Sequence, residues 1–226
     1  MKVPYVSNTD IDSAVIELLG KCATKLGREL LPPIPVDDII EKFLGITLEI
    51  VDLQTRLGMV DVLGAAYFDE NVIRVDENLL QLEGRLSFTM AHEIGHWQLH
   101  RPLYEMEKVT VGYIGTRVSV PDFVCRSGRK PPAEVQADRF AARLLMPERL
   151  VRIAFHTIHG EGPFLLAGLR NHQGDTSVVG PWSELAKAVL IQGNFSNVSI
   201  EAMRYRLDDL KLIRDKESTE AQPNLL

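Results

Sequence analysis

Cysteine is scarce. The 226 residues hold two, Cys22 and Cys125, in separate segments and without metal-type spacing. Two isolated thiols exclude a disulfide framework and fit a reducing compartment; both read as structural, with Cys125 the one that a polar loop could expose. No apolar run approaches the length of a membrane span, and the first residues lack the apolar core and cleavage-like site of an export signal. Positive charge is in deficit: 25 Lys and Arg stand against 31 Asp and Glu, a formal net charge of −6. Such a balance advertises no general affinity for nucleic acid or for an anionic membrane. Internal repeats and low-complexity tracts are absent. These absences make a cytoplasmic location the expectation. What is left, 45% hydrophobic and 25% charged, is an ordinary soluble globular composition with enough chain for a real core.

The most informative stretch is His92-Glu93-Ile94-Gly95-His96, inside Arg85 to His100. Leu86, Met90, Ile94 and Trp97 recur at helical spacing, and Pro102 reads as the stop beyond the run. Residues four apart on a helix share one face, so His92 and His96 can aim two ring nitrogens at a single cation. Glu93 can reach the same cavity and take a proton from a water that the cation polarises. From the composition, a match to this motif arises by chance on the order of 0.02 times in such a chain, so a helix of merely packed histidines is the weaker reading.

A two-histidine site needs a third protein ligand, with water in the fourth place. Pro131 to Pro147 carries the punctuation of a helix, with Glu134, Asp138, Ala141 and Leu145 on one face. Glu134 is the candidate third ligand. Asp138, one turn on, is placed to accept the ring N–H of a ligand histidine and fix its tautomer. The competing reading is a solvated acidic pair. Ala137, Ala141 and Ala142 favour close packing, and Ala91 and Gly95 offer a matching narrow surface on the first helix.

The two segments together resemble the ImmA/IrrE-type zinc metallopeptidases. The likeness is carried by His92-Glu-Ile-Gly-His96 after Leu86-Ser-Phe-Thr-Met-Ala and before Gln98-Leu-His100, and by Glu134-x-x-Ala-Asp-x-Phe-Ala-Ala-x-Leu-Leu-Met-Pro147. Ile73-Arg-Val-Asp76 fits the same pattern, and the resemblance covers about residues 10 to 150. It implies a gluzincin-like site with zinc held by His92, His96 and Glu134 and with Glu93 as general base. It also implies a protein substrate, a helix-turn-helix repressor being the kind that better-known members cleave, in a regulatory, stress or mobile-element response. Manganese or iron are alternative metals.

Elsewhere the expectations are structural. Residues 9–27 read as an amphipathic helix capped by Thr9 or Asp10, followed by a stiff Pro32–Pro35 link and a short helix from Val36 to Leu44. Residues 46–50, 63–68 and 72–75 read as three strands of a small antiparallel sheet. An exposed edge there could pair with an extended substrate, and Gly64-Ala65-Ala66 would allow close approach; small residues under a helix is the equal alternative. His100 stands roughly 12 Å along the helix from His92, too far for the same ligand shell, and reads as capping or packing. Residues 101–133 read as an irregular segment beside the cleft, with Tyr104, Tyr113 and Arg126 as candidates for contacting substrate or stabilising an oxyanion. His156, His159 and His172 lack paired spacing and read as surface or packing residues.

The fold class expected is α+β: a mostly helical zincin-like metallopeptidase core with a three-stranded antiparallel sheet over residues 1–150, then a helical, helix-turn-helix-like region over 151–226 with a tail frayed from about 215. From Trp182 to Lys216 six basic residues, Lys187, Arg204, Arg206, Lys211, Arg214 and Lys216, face five acidic ones, thin for binding phosphates and better suited to a structural or protein-recognition role. The function expected is a zinc-dependent endopeptidase. The alternative is a DNA-binding or antitoxin-like regulator with a structural metal.

Overall fold

The computed structural model describes residues 3–111, 121–126, 131–168 and 180–216, and the chain divides into two compact units, Met1–Leu145 and Met146–Leu226. Helix α1 (Asn8–Leu26) opens the first unit. Its cap is Ser7, ahead of both expected candidates. The Ser7 hydroxyl accepts from the Asp10 backbone N–H at 3.1 Å, and the Asp10 carboxylate accepts from the Ser7 N–H at 3.3 Å, a reciprocal capping box. Ile11, Val15, Leu18 and Cys22 form its buried stripe. Helix α2 (Val36–Asp38) runs on into a π-helical turn, Ile39–Phe43.

The sheet corrects the three-stranded antiparallel expectation. It is mixed and has four strands, β1 (Thr47–Val51), β2 (Val62–Tyr67), β3 (Val72–Asp76) and β4 (Phe123–Arg126), in the order β1-β3-β2-β4. β2 and β3 make the expected hairpin, with Asn71 at φ 57° supplying the left-handed residue of its turn. β1, however, lies parallel to β3, Thr47 opposite Val72. A parallel partner needs a crossover. It runs through helix α3 (Leu53–Leu57), anchored where the buried Asp76 carboxylate accepts from the backbone N–H of Leu53 at 3.0 Å and of Gln54 at 3.3 Å.

Strand alternation sorts the side chains. Val62, Ala65, Tyr67 and Val72 cluster with Leu53 on one face, and Val124 packs against them. A bulge between Val62 and Gly64 lets Val62 share that face with Ala65. Gly64, Ala66, Ile73, Val75, Phe123 and Cys125 fall on the other face. There helix α4 (Glu83–Leu99) packs against β2, β3 and β4. β2 is thus an inner strand, with Gly64 and Ala66 packed under α4 and Ala65 in the cluster on the opposite face.

Two stretches within 101–133 carry regular structure where an irregular segment was expected. Helix α5 (Arg101–Val111) follows α4 directly, with Pro102 in its first turn, where the missing N–H costs nothing. The same segment supplies β4, paired antiparallel with β2. Helix α6 (Pro132–Leu145) then lies close against α4. A Cβ placed on Gly95 would sit 3.1 Å from Ala137 Cα and 3.1 Å from Phe140 Cβ, so glycine sets the separation of the two helices. Arg143 of α6, buried, bonds Asp12 of α1 at 2.6 Å and ties the third helix to the pair.

The second unit holds α7 (Glu148–His159), β5 (Phe164–Leu166), α8 (Pro181–Gln192), α9 (Ile200–Asp209) and β6 (Ile213–Asp215). Ser199 caps α9 by accepting from the Ala202 N–H at 3.1 Å. To the helices expected here the structure adds a two-stranded parallel sheet of β5 and β6. Two of the six basic residues weighed for DNA contact turn inward. The Arg204 guanidinium lies 4.4 Å from the Trp182 ring centroid, and Arg206 bonds the Met146 carbonyl at 3.1 Å and Asp209 at 2.6 Å. His159 packs between Phe155 and Phe164. His172 and the tail beyond Lys216 lie outside the described residues. No described helix is long and apolar enough to cross a membrane.

Candidate metal centre

α4 and α6 bring three donors to one point. His92 and His96, one turn apart, place their Nε2 atoms 3.0 Å from each other. Glu134, in the first turn of α6, reaches both: Oε2 is 3.1 Å from His92 Nε2 and Oε1 is 3.2 Å from His96 Nε2. All three residues are buried. The 38-residue sequence gap is closed by the narrow seam at Gly95 and Ala137.

The outer nitrogens reveal which tautomers the rings adopt. His92 Nδ1 lies 2.9 Å from Asp138 Oδ1, an atom that accepts, so Nδ1 carries the proton. The His96 assignment starts from Pro4. Its carbonyl can only accept, so Gln136 turns its amide nitrogen there, at 2.8 Å, and its Oε1 toward His100 Nε2, at 2.9 Å. His100 therefore donates from Nε2 and keeps Nδ1 bare. That bare nitrogen accepts from His96 Nδ1 at 2.9 Å. With each Nδ1 engaged outward, His92 and His96 turn Nε2 toward the two Glu134 oxygens, with contacts of 3.0–3.2 Å.

Such a convergence demands positive charge. His92 shows it: burial works against protonation, yet Asp138, Cys125 and Glu134 push its pKa well above the usual imidazole range. Burial holds His96 down to about 4, and lowers His100 as well. For Glu134 burial pulls upward, but hydrogen bonds from His92 and His96 win and bring it to about 2. Without a cation, one proton is shared by this group. The spacings also suit a metal about 2.0–2.2 Å from each donor, the range of Zn–N and Zn–O bonds, so the residues fit a divalent ion.

Glu93 is fully buried on the sheet side of α4. A Cβ on Gly64 would lie 2.7 Å from Glu93 Oε1 and 2.7 Å from Thr89 Cγ2. The absence of a side chain at Gly64 is what lets this carboxylate sit beside β2.

The two described oxyanion candidates, Tyr104 and Arg126, make their polar contacts elsewhere. The Tyr104 hydroxyl donates to Asp69 at 2.8 Å, with the ring edge-on to Phe68. Arg126 is exposed, donates to the Val60 carbonyl at 3.3 Å, and by alternation occupies the sheet face away from α4. Tyr113 lies outside the described residues. Two residues not singled out do arrive. Phe123 stacks on His96 with centroids 4.1 Å apart, and Cys125, buried rather than exposed, clusters with His92 and Glu134. Phe-Val-Cys-Arg, read as a strand, would have put Phe123 and Cys125 on one face.

The chain matches the Peptidase_M78 family, described as the IrrE N-terminal-like domain, over residues 47–161, just over half its length. It belongs to this family. The ImmA/IrrE resemblance of its motifs is thus matched by the family itself, which points to a metallopeptidase of the ImmA/IrrE kind. The matched span includes both histidines of the motif, Glu93, Cys125 and Glu134. No curated protein matches the chain.

Proposed function

We propose that this ImmA/IrrE-type protein is a zinc-dependent endopeptidase acting on a protein substrate, with a helix-turn-helix repressor as the first candidate. The supporting observation is the meeting of two ring nitrogens and a carboxylate at 3.0–3.2 Å, with a further buried carboxylate, Glu93, on the helix that carries the histidines. His92, His96 and Glu134 would hold the metal, which when bound supplies Lewis-acid polarisation of the scissile carbonyl and of the attacking water. Glu93 takes the proton from that water and returns it to the leaving nitrogen as the C–N bond breaks. Asp138 fixes the His92 tautomer, and the relay from Pro4 through Gln136 and His100 fixes that of His96. Among the described residues β4 is the sheet edge beside the site, where an extended substrate can add as a strand.

Purified protein incubated with repressors from its genomic neighbourhood should give discrete fragments that a chelator abolishes. Cleavage of other proteins with every repressor spared removes the repressor assignment and keeps the peptidase; cleavage that survives chelation removes the metal mechanism. The regulator alternative has less support, since Arg204 and Arg206 are engaged within their own unit.

Two further results are expected. Gly64→Ala should displace the flexible tip of Glu93 more than it unfolds the chain. Overpacking costs about 1–3 kcal/mol, and the Thr89 methyl, stiff at χ1, sets that cost while the Glu93 tip can swing aside. Turnover should drop on the order of 100-fold, the scale of a misplaced catalytic group, with metal content retained. The second concerns pH. His92, with its raised pKa, carries a proton in the metal-free protein, and a cation must displace it. Metal uptake should release a proton near neutral pH, and affinity should fall as pH drops through the raised His92 value, because the competing protonated form prevails below it. Calorimetric titration in buffers of different ionisation enthalpy reads the release; heats that are identical in every buffer would contradict it.

A further inference from the structure

We propose that Gln136 is a positioning residue that keeps the centre open to a metal, by holding the His96 proton on Nδ1 against a pull that would move it to Nε2. The inference rests on the metal reading above and concerns what prepares the site before a cation arrives. Gln136 and His100 are both buried. Gln136 bonds the Pro4 carbonyl at 2.8 Å on one side and His100 Nε2 at 2.9 Å on the other. Pro4 lies outside the helices, in the surface stretch ahead of the Ser7 cap of α1, where it and Tyr5 are exposed. A surface segment thus reaches, through two side chains, the ring of a wholly buried histidine.

This run of bonds has two self-consistent settings. A neutral imidazole donates from one nitrogen and accepts at the other, in either order, and an amide can turn over and exchange its ends. In the first setting Gln136 donates to Pro4, His100 Nε2 donates to Gln136, and His96 Nδ1 donates to His100 Nδ1. In the second every bond beyond Pro4 runs the other way. The turned amide donates to His100 Nε2, His100 Nδ1 donates to His96 Nδ1, and the His96 proton sits on Nε2. No proton is gained or lost; each ring only changes the nitrogen that carries it. At the inner end the second setting is favoured, because Nε2–H then faces Glu134 Oε1 at 3.2 Å, and bonds to an ionised acceptor are the stronger kind. That setting is also closed, since a protonated Nε2 has no lone pair for a cation. The outer end opposes it. The Pro4 carbonyl can only accept, so a turned amide would set oxygen against oxygen, and a buried polar group facing no partner is costly. Pro4 is the one member of the run whose role cannot reverse, and Gln136 is the residue that transmits it.

Metal-free full-length protein with isotopically labelled histidine nitrogens tests this, because protonated and bare ring nitrogens resonate far apart. In the wild type His96 should carry its proton on Nδ1 and His100 on Nε2. Gln136→Met fills the same space and removes both amide bonds. His96 should then shift toward Nε2–H, and zinc affinity, read by competition with a chromophoric chelator, should fall about 10–100-fold. His100→Gln supplies the rescue. Its amide can accept from His96 Nδ1 and donate to Gln136, so it should lose far less affinity than His100→Ala. A role in packing alone predicts the reverse, with methionine tolerated and the lost ring harmful whatever replaces it. Gln136→Met with the His96 proton still on Nδ1, equal losses in His100→Gln and His100→Ala, or a wild-type His96 protonated on Nε2 overturns the proposal and leaves His92, His96 and Glu134 as the donors. The wild-type pattern and the His100 pair decide it even if Gln136→Met fails to fold. A wild-type protein that takes up no zinc removes the metallopeptidase reading and the proposal with it.

Discussion

Replacing Glu93 with glutamine is expected to abolish cleavage while leaving the metal in place. The amide keeps the shape of the carboxylate, so the tight fit beside Gly64 survives and α4 has no reason to move. What is lost is a base: the amide cannot accept a proton from water at neutral pH. General acid–base catalysis contributes about 10²–10⁴-fold, and Glu93 would serve in both directions of the transfer, so the loss should lie toward the upper part of that range. KM should change little if Glu93 makes no contact with the ground-state substrate. Paired measurements of turnover and metal content decide it. An E93Q protein that retains metal and full turnover would remove Glu93 from the mechanism. One that loses metal would instead make Glu93 part of the coordination. Gly64→Ala provides the counterpart, since it leaves the carboxylate in the chain and alters only its position.

How much of this was legible in the sequence follows from how local each feature is. The meeting of His92 and His96 depends only on helical pitch, and the four-residue spacing carries it. Glu134 is 38 residues from His96, but its helix is marked by Pro131, Pro132 and Pro147, and the seam between α4 and α6 by Gly95 and Ala137; small residues on both partners are a signal in each sequence segment separately. The parallel placement of β1 beside β3 was not legible, because strand direction is fixed by the crossover through α3 and not by alternation within β1. β4 was missed for a related reason. Four residues become a strand only by pairing with β2, more than fifty positions earlier, and with them went Phe123 and Cys125. α4 does end before Pro102, which then sits in the first turn of α5. His100 is the subtler case. The axial distance rightly separates it from the far ligand His92, yet it lies one turn from His96, and its ring bonds that residue's outer nitrogen at 2.9 Å.

That distinction between donors and the groups behind them yields the second large effect. Glu134→Ala should all but eliminate metal binding, whereas Asp138→Asn should weaken it by about 10–100-fold, the usual cost of losing an outer-shell partner. Glu134 supplies two oxygens, one to each Nε2, and it is the only carboxylate described as touching both rings. Its removal leaves two imidazole lone pairs 3.0 Å apart with no anion to balance a divalent cation. The metal-free protein would also change: without Glu134, His92 loses one of the carboxylates that raise its pKa, so its protonated form should give way at lower pH. Asp138→Asn keeps the Nε2 geometry and an acceptor oxygen for His92 Nδ1, and removes only the charge. His100→Ala falls in the same outer class, since it frees the His96 ring to turn without touching a donor. Competition against a chromophoric chelator ranks the three. Equal losses for Glu134→Ala and Asp138→Asn would mean that the carboxylate on α6 is no more than another outer support, and the proposed ligand set would have to be redrawn without it.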